Sequence, residues 1–299
     1  MPPSEEVERK RGNRLGFWFF LTLARFFGLR AAYGLLYFVA LHYLLFDRPV
    51  VRASLAYTIR RFPGHGRLRQ LFNVYLLFLN QGKSLIDRYA VSAGYDGIAI
   101  DIEGFERLKG FVEAGHGFIL LTAHLGNWQA AMTALGGFGR TVHLMMRPED
   151  NAAVKDNLRI YSEEERVRII YADDSLNSVL EAMKALKKGD IVSIMGDRTY
   201  GFSSREATFL GGKVSFPYGA FSLASAVQCP LVVLLSAKTA SNRYLVDVTN
   251  IIEPPSSLRG KKEEDIRGGL QQFADILQGY VADYPYQWFA FRDIWKSNE

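Results

Sequence analysis

Residues 117–131 read GFILLTAHLGNWQAA, and the class of fold turns on how that stretch divides. Gly117–Thr122 is a short apolar run with the length and composition of a buried strand. From Asn127 onward the pattern is helical, and Asn127 is placed to cap the first turn. A strand that passes into a helix through a short junction is the repeating unit of an α/β sheet. The unit recurs along the chain. Strands are expected at Ile98–Ile102, Gly117–Thr122, Thr141–Met146, Val167–Tyr171, Ile191–Met195, Leu231–Ala237 and Tyr244–Val248. Helices are expected at Phe105–Glu113, Asn127–Leu135, Ala152–Glu163, Leu176–Lys187, Gly219–Val227 and Glu263–Asp283. This alternation, with short connections, predicts an α/β domain with a central, largely parallel or mixed sheet flanked by helices.

Ligands of open α/β sheets bind beyond the carboxyl ends of the strands. His124 lies two residues past the second expected strand. A histidine there suits general base work, because its ordinary pKa is near 6.5. Gly126 would permit close approach of a substrate or of backbone, and the free N–H groups of a helix starting at Asn127 would face an anion. The plainer reading is a histidine that only caps a strand end.

Composition narrows the rest. The chain has 299 residues, of which 48% are hydrophobic, so it can bury a full core and is not a disordered polymer. Its single cysteine, Cys229, excludes a disulfide framework and a cysteine-built metal site. No nucleophile elbow, phosphate-binding loop, dinucleotide glycine fingerprint or H-E-x-x-H segment is present. His116 and His143 lack ligand-type spacing with carboxylates, so no metal and no resident cofactor is expected.

Charge is unevenly spread. Residues 1–70 carry twelve Lys and Arg against four acids, a net +8, while the whole chain is +5, leaving −3 for the remainder. The basic end is also greasy: residues 15–46 read LGFWFFLTLARFFGLRAAYGLLYFVALHYLLF. Arg25 and Arg30 interrupt this run, and its longest uncharged piece, Ala31–Phe46, has 16 residues, short of the roughly 20 that a span needs. One reading is a pair of helices buried on the body. The other is a helical membrane anchor lying in or dipping into a bilayer, with aromatics at the interface and arginines on anionic headgroups. Arginines on both sides suit a cytoplasmic face. The aromatics sit within aliphatic runs rather than along a polar groove, so no nucleic-acid partner is expected.

Several segments carry a resemblance. AHLGNWQ resembles the His–four residues–Asp/Glu motif of the lysophospholipid acyltransferase superfamily, in particular its lipid A late acyltransferase (lauroyl/myristoyl acyltransferase) branch. MMRPEDN (145–151) resembles the branch's R-P…N segment, and IMGDRTYG (194–201) its strand-end D-x-x-x-G segment. TFLGGKVSFPYGAFSLASAVQCPLV (208–232) resembles its Phe–Leu/Phe–Gly, Pro–x–Gly and small-residue helix, and QWFAFRDIW (287–295) its aromatic end. Their order and spacing make the resemblance specific over most of the chain.

The resemblance implies that His124 deprotonates an acceptor hydroxyl, which then attacks the thioester of an acyl carrier protein or coenzyme A. It assigns Arg147 to a phosphate-bearing substrate. It implies a lipid acceptor, lipid A precursor-like or another glycolipid or aminolipid. The setting it implies is the cytoplasmic face of the bacterial inner membrane. The organisation is then a basic tail (1–14), a hydrophobic helical membrane anchor (15–46) and one α/β acyltransferase domain (47–299).

Gln129 stands where the branch has Asp or Glu. An amide can orient an imidazole but cannot stabilise imidazolium, and loss of the corresponding charge in a serine-protease triad costs about 10⁴ in turnover. Three explanations stay open. Asp197, ending another expected strand, supplies the missing carboxylate; Gln129 suffices for a slow enzyme; or the chain is a non-catalytic lipid-binding protein on the same fold. Asn127, Trp128, Arg198 and Gly211 complete the candidate substrate contacts. Plainer roles stand beside them: an ion pair of Arg147 with Glu149 or Asp150, an ion pair for Arg198, packing for Trp128, and a hairpin turn at Gly211.

Overall fold

The computed structural model describes residues 14–92, 94–128, 139–147, 167–172, 176–199, 202–255 and 261–295. Three helices come first: α1 (Arg14–Phe46), α2 (Arg48–Arg61) and α3 (Arg67–Ser92). The α/β body follows in the order β1 (Ala99–Glu103), α4 (Phe105–Glu113), β2 (Phe118–Thr122), β3 (Val142–Met146), β4 (Val167–Tyr171), α5 (Leu176–Lys187) and β5 (Ile191–Met195). Then come β6 (Ser204–Phe209), β7 (Gly212–Pro217), α6 (Gly219–Val227), β8 (Leu231–Ala240), β9 (Arg243–Asp247), β10 (Ile251–Ile252) and α7 (Lys262–Asp283).

Eight strands form the main sheet, in the order β1-β9-β8-β2-β5-β3-β4, with β10 paired to the start of β8. The β8–β9 and β8–β10 pairs are antiparallel and the others parallel. Helices cover both faces, which is why the central strands are near-continuous apolar runs. All five residues of β2 are buried. Ile119 and Leu121 face one core, shared with Phe221 of α6 and Phe273 of α7. Phe118 and Leu120 face the other, shared with Leu108 and Val112 of α4. That two-residue alternation is the pleat of a strand.

The body matches the expected class. The helices Phe105–Glu113, Leu176–Lys187 and Gly219–Val227 and the strands Val167–Tyr171 and Ile191–Met195 stand at the expected bounds. β2 and β3 begin one residue later than expected, β1 is displaced by one residue forward and β9 by one back, and β8 runs on to Ala240, because its hairpin with β9 gives those residues ladder partners. β10 was not expected. Of the expected helix Asn127–Leu135 only the first two residues lie within the described residues, and Ala152–Glu163 lies wholly outside them.

The N-terminal helices pack on the body. α1 breaks at Gly28, whose φ of 80° and ψ of 165° no helix accommodates. Past the break, α1 packs lengthwise on α3, with Leu36 against Gly82, where a Cβ would come 2.7 Å from a leucine methyl. α2 starts at the Asp47 cap and docks through Tyr57, whose hydroxyl donates to the Pro285 carbonyl at 2.7 Å. Arg61 donates to the carbonyls of Val281 and Ala282, at 2.8 and 2.6 Å. These belong to the last turn of α7, where a cation satisfies unpaired carbonyls and the helix dipole together.

Candidate active site

The register of two neighbouring strands builds the site. β2 and β5 pair in parallel, with Thr122 opposite Met195. Two residues further along each chain stand His124 and Asp197. Their backbones stay in step past the strand ends, where the Gly196 N–H donates to the Thr122 carbonyl at 2.8 Å. Gly196 is closely covered at that point: a Cβ would lie 2.7 Å from a methyl of Leu121.

The Asp197 carboxylate is fully buried and accepts three hydrogen bonds. His124 Nδ1 lies 2.8 Å from Oδ1, the His124 backbone N–H reaches Oδ2 at 3.0 Å, and the Trp288 indole N–H reaches the same Oδ2 at 3.0 Å. Burial by itself pushes this carboxyl up. The His124 ring and its hydrogen bond, the Arg198 guanidinium and the His124 N–H together outweigh burial and hold it at about 2. An ionised carboxylate only accepts, so in the neutral imidazole the proton sits on Nδ1 and the lone pair on Nε2. The His124 side chain is 24% exposed. Proton exchange with a substrate therefore falls to Nε2.

The chain's last segment locks the loop that carries His124. Leu125 and Trp288 form an antiparallel bridge. The Gly126 N–H donates to the Gln287 carbonyl at 2.9 Å, and the Phe289 N–H to the His124 carbonyl at 2.8 Å. Gly126 has φ +60°, and a Cβ there would fall 1.9 Å from the Ser236 carbonyl oxygen, so only glycine fits. The Ser84 hydroxyl of α3 donates to the Gly126 carbonyl at 2.8 Å.

The other residues singled out from sequence scatter around this pair. Arg198 donates to the Phe289 carbonyl, tying β5's exit to the same segment. Asn127 is buried, and Trp128 packs half-buried against the α4 side of the sheet. Arg147 follows β3, at the same carboxyl edge but beyond β5 from His124. Gly211 sits at the tip of the β6–β7 hairpin, where Leu210 and Gly211 have φ of 48° and 73°; such a two-residue turn needs positive φ at both positions. Gln129 lies outside the described residues, as do Glu149 and Asp150.

Two arrangements were missed in the sequence. One is Trp288 as a partner of Asp197; a tryptophan in an aromatic run offers no signal of where its N–H goes. The other is a buried polar cluster beside the site. Asp87 of α3 accepts from the hydroxyls of Tyr33 (α1) and Tyr244 (β9) and from the Lys238 ammonium of β8. Burial lowers the Lys238 pKa, against the opposing pull of Asp87. Gln287 clamps the Lys238 backbone, accepting its N–H at 2.7 Å and donating to its carbonyl at 2.9 Å. The signal for this cluster was an acid amid the apolar positions Ile86 and Ala90. A second His–Asp pair, His143 with Asp190 at 3.2 Å, is buried toward the amino end of the strands, away from the exposed edge.

A largely parallel α/β sheet that presents a carboxylate-backed imidazole at its carboxyl edge defines a class of base-equipped proteins suited to activating a hydroxyl. The sequence description of the bacterial lipid A biosynthesis acyltransferases matches residues 95–297. The chain belongs to that family, as its motifs had indicated, and the family is one of acyltransferases acting on lipid. Among curated proteins, none matches the chain. The matched region begins at Tyr95, so α1, α2 and α3 all lie outside it.

Proposed function

We propose that this protein is a membrane-associated O-acyltransferase at the cytoplasmic face of the bacterial inner membrane. It moves a fatty acyl group from acyl carrier protein, or from acyl-coenzyme A, to a hydroxyl of a lipid acceptor. The observation that carries this reading is the 2.8 Å contact between His124 Nδ1 and a fully buried Asp197. It supplies the negative charge that Gln129 cannot.

In this mechanism His124 Nε2 takes the proton of the acceptor hydroxyl as its oxygen attacks the thioester carbonyl. Asp197 stabilises the imidazolium that forms. The tetrahedral intermediate collapses with cleavage of the C–S bond. The departing thiolate takes the proton from imidazolium, regenerating the base and releasing free thiol. Arg147 and Arg198 supply positive charge along the same edge for anionic parts of donor or acceptor.

The test uses the full-length protein in detergent, acyl carrier proteins or coenzyme A bearing several chain lengths, and a total bacterial lipid extract as acceptor pool. Mass spectrometry reads the products. A new acylated lipid that disappears with His124→Ala establishes transfer and identifies the acceptor. Folded protein that binds lipid but forms no product with either donor would leave the lipid-binding reading instead.

A further inference from the structure

By length and composition the Phe26–Phe46 part of α1 could cross a membrane, with 21 residues at a mean hydropathy of 1.4, of which Leu29–Phe46 lie past the Gly28 break as one continuous helix. Its contacts argue against crossing. Leu29, Ala32, Tyr33, Leu36 and Ala40 recur at helical spacing on one face, and all are buried. That face is held to α3 along its length: Tyr33 bonds to Asp87, Leu36 packs on Gly82, and the Tyr75 hydroxyl donates to the Tyr37 carbonyl.

A helix standing across the bilayer would draw these partners to hydrocarbon depth. They include the Asp87–Lys238 ion pair, and with Lys238 and Tyr244 the β8–β9 turn, whose residues Ser241, Asn242 and Arg243 are exposed and polar. Exposed turns and open strand edges are not tolerated there.

The opposite face is apolar and uncovered. Phe38, Leu41 and Leu45 share it at helical spacing, and Phe38 is 72% exposed. Phe26, Phe27 and Phe46 at its ends are also exposed. On α3, Leu71, Phe72 and Leu68, the last 84% exposed, add to it, and Phe72 adjoins α1 through Tyr75, which stacks on it and donates to the Tyr37 carbonyl. Arg30, Arg48, Arg52, Arg67 and Arg69 are exposed around it, and Arg69 lies over the Phe72 ring at 5.6 Å. Apolar side chains within a cationic rim are complementary to an anionic lipid surface, with its acyl boundary inside and its phosphates around.

We infer that Phe26–Phe46 lies flat in the headgroup layer of an anionic bilayer, as an in-plane docking helix, and does not span it. This rests on the membrane association proposed above and specifies its geometry. α3 then links the docked helix to the site: Gly82 packs on α1, and Ser84, two residues on, bonds the loop that carries His124.

Spin labels on single cysteines at Phe26, Phe38 and Leu45, in the full chain with Cys229→Ser, test this on vesicles of phosphatidylglycerol and phosphatidylethanolamine. In-plane docking places all three at similar, shallow depth, by collision with dissolved oxygen against a water-soluble nickel chelate. A steep profile, with Phe38 at the bilayer centre and nickel contact regained at both ends, would overturn the inference in favour of a span. Labels that stay fully nickel-accessible would overturn it together with membrane association. Phe38→Glu with Leu45→Glu, on the uncovered face, should weaken vesicle binding at least tenfold with unchanged circular dichroism. Undiminished binding by that folded variant would also overturn it. Acyl transfer is not read in this experiment, so its outcome is independent of the transfer assay.

Discussion

The indole N–H of Trp288 donates to Asp197 Oδ2 at 3.0 Å, on the oxygen that also accepts the His124 backbone N–H. Oδ1 is thereby left to the imidazole, and the carboxylate is fixed by three donors from two separate segments. Trp288→Phe keeps a ring against Tyr57 and Phe209 and removes only the donor. A hydrogen bond to a charged group contributes about 1.5–3 kcal/mol, so transfer should fall about tenfold or more. With one donor fewer, the Asp197 carboxyl should rise above its value of about 2, which NMR of the labelled carboxyl carbon reads. A tryptophan that merely packs would lower activity without moving it.

Asp197→Asn should reduce transfer by about 10³–10⁴, the scale of losing the carboxylate of a triad. It also carries a signature in stability. The carboxyl sits at about 2 in the folded protein and near 4 when unfolded, a difference worth about 2–3 kcal/mol. Because the folded value is depressed, this stabilisation is fully present above pH ~4 and is lost as pH falls through about 2. Denaturant unfolding should show the gap between wild type and Asp197→Asn narrowing from pH 5 to pH 2.

Gln129→Glu should change the rate by less than about tenfold, in contrast to Asp197→Asn, because the charge that imidazolium needs is already present. Parallel transfer assays check this; a gain of several orders of magnitude would return the orienting role to position 129.

Gly126→Ala should destabilise the protein by about 3 kcal/mol and abolish transfer. The new methyl would overlap the Ser236 carbonyl oxygen, and relief would require moving a loop held by Gln287, Phe289 and Ser84. Thermal and denaturant unfolding give the first quantity, the transfer assay the second.

Asp87→Asn should cost about 3–5 kcal/mol, because it leaves the buried Lys238 ammonium uncompensated. Lys238→Met in the same chain should recover much of that loss, since an apolar replacement for a whole buried pair is often near neutral. Unfolding of the two single variants and the double variant measures the coupling.

Local pattern was enough to read the α/β alternation. Helices such as Leu176–Lys187 and strands such as Ile191–Met195 are set by apolar periodicity within a few turns or pleats, which neighbours in sequence carry. It was also enough to place His124 and Asp197 each just past a strand, because the end of an apolar run is a local event. Their meeting was not local. It depends on β5 choosing β2 as a neighbour and on the register that sets Thr122 opposite Met195, a choice made by which faces bury together across 73 positions. The same holds for Trp288, whose N–H finds Asp197 only because the C-terminal segment crosses the His124 loop. It holds too for α1: composition leaves helices buried on the body and a membrane anchor both open, and only the burial of Tyr33 on Asp87 separates a face bound to protein from a face left to lipid.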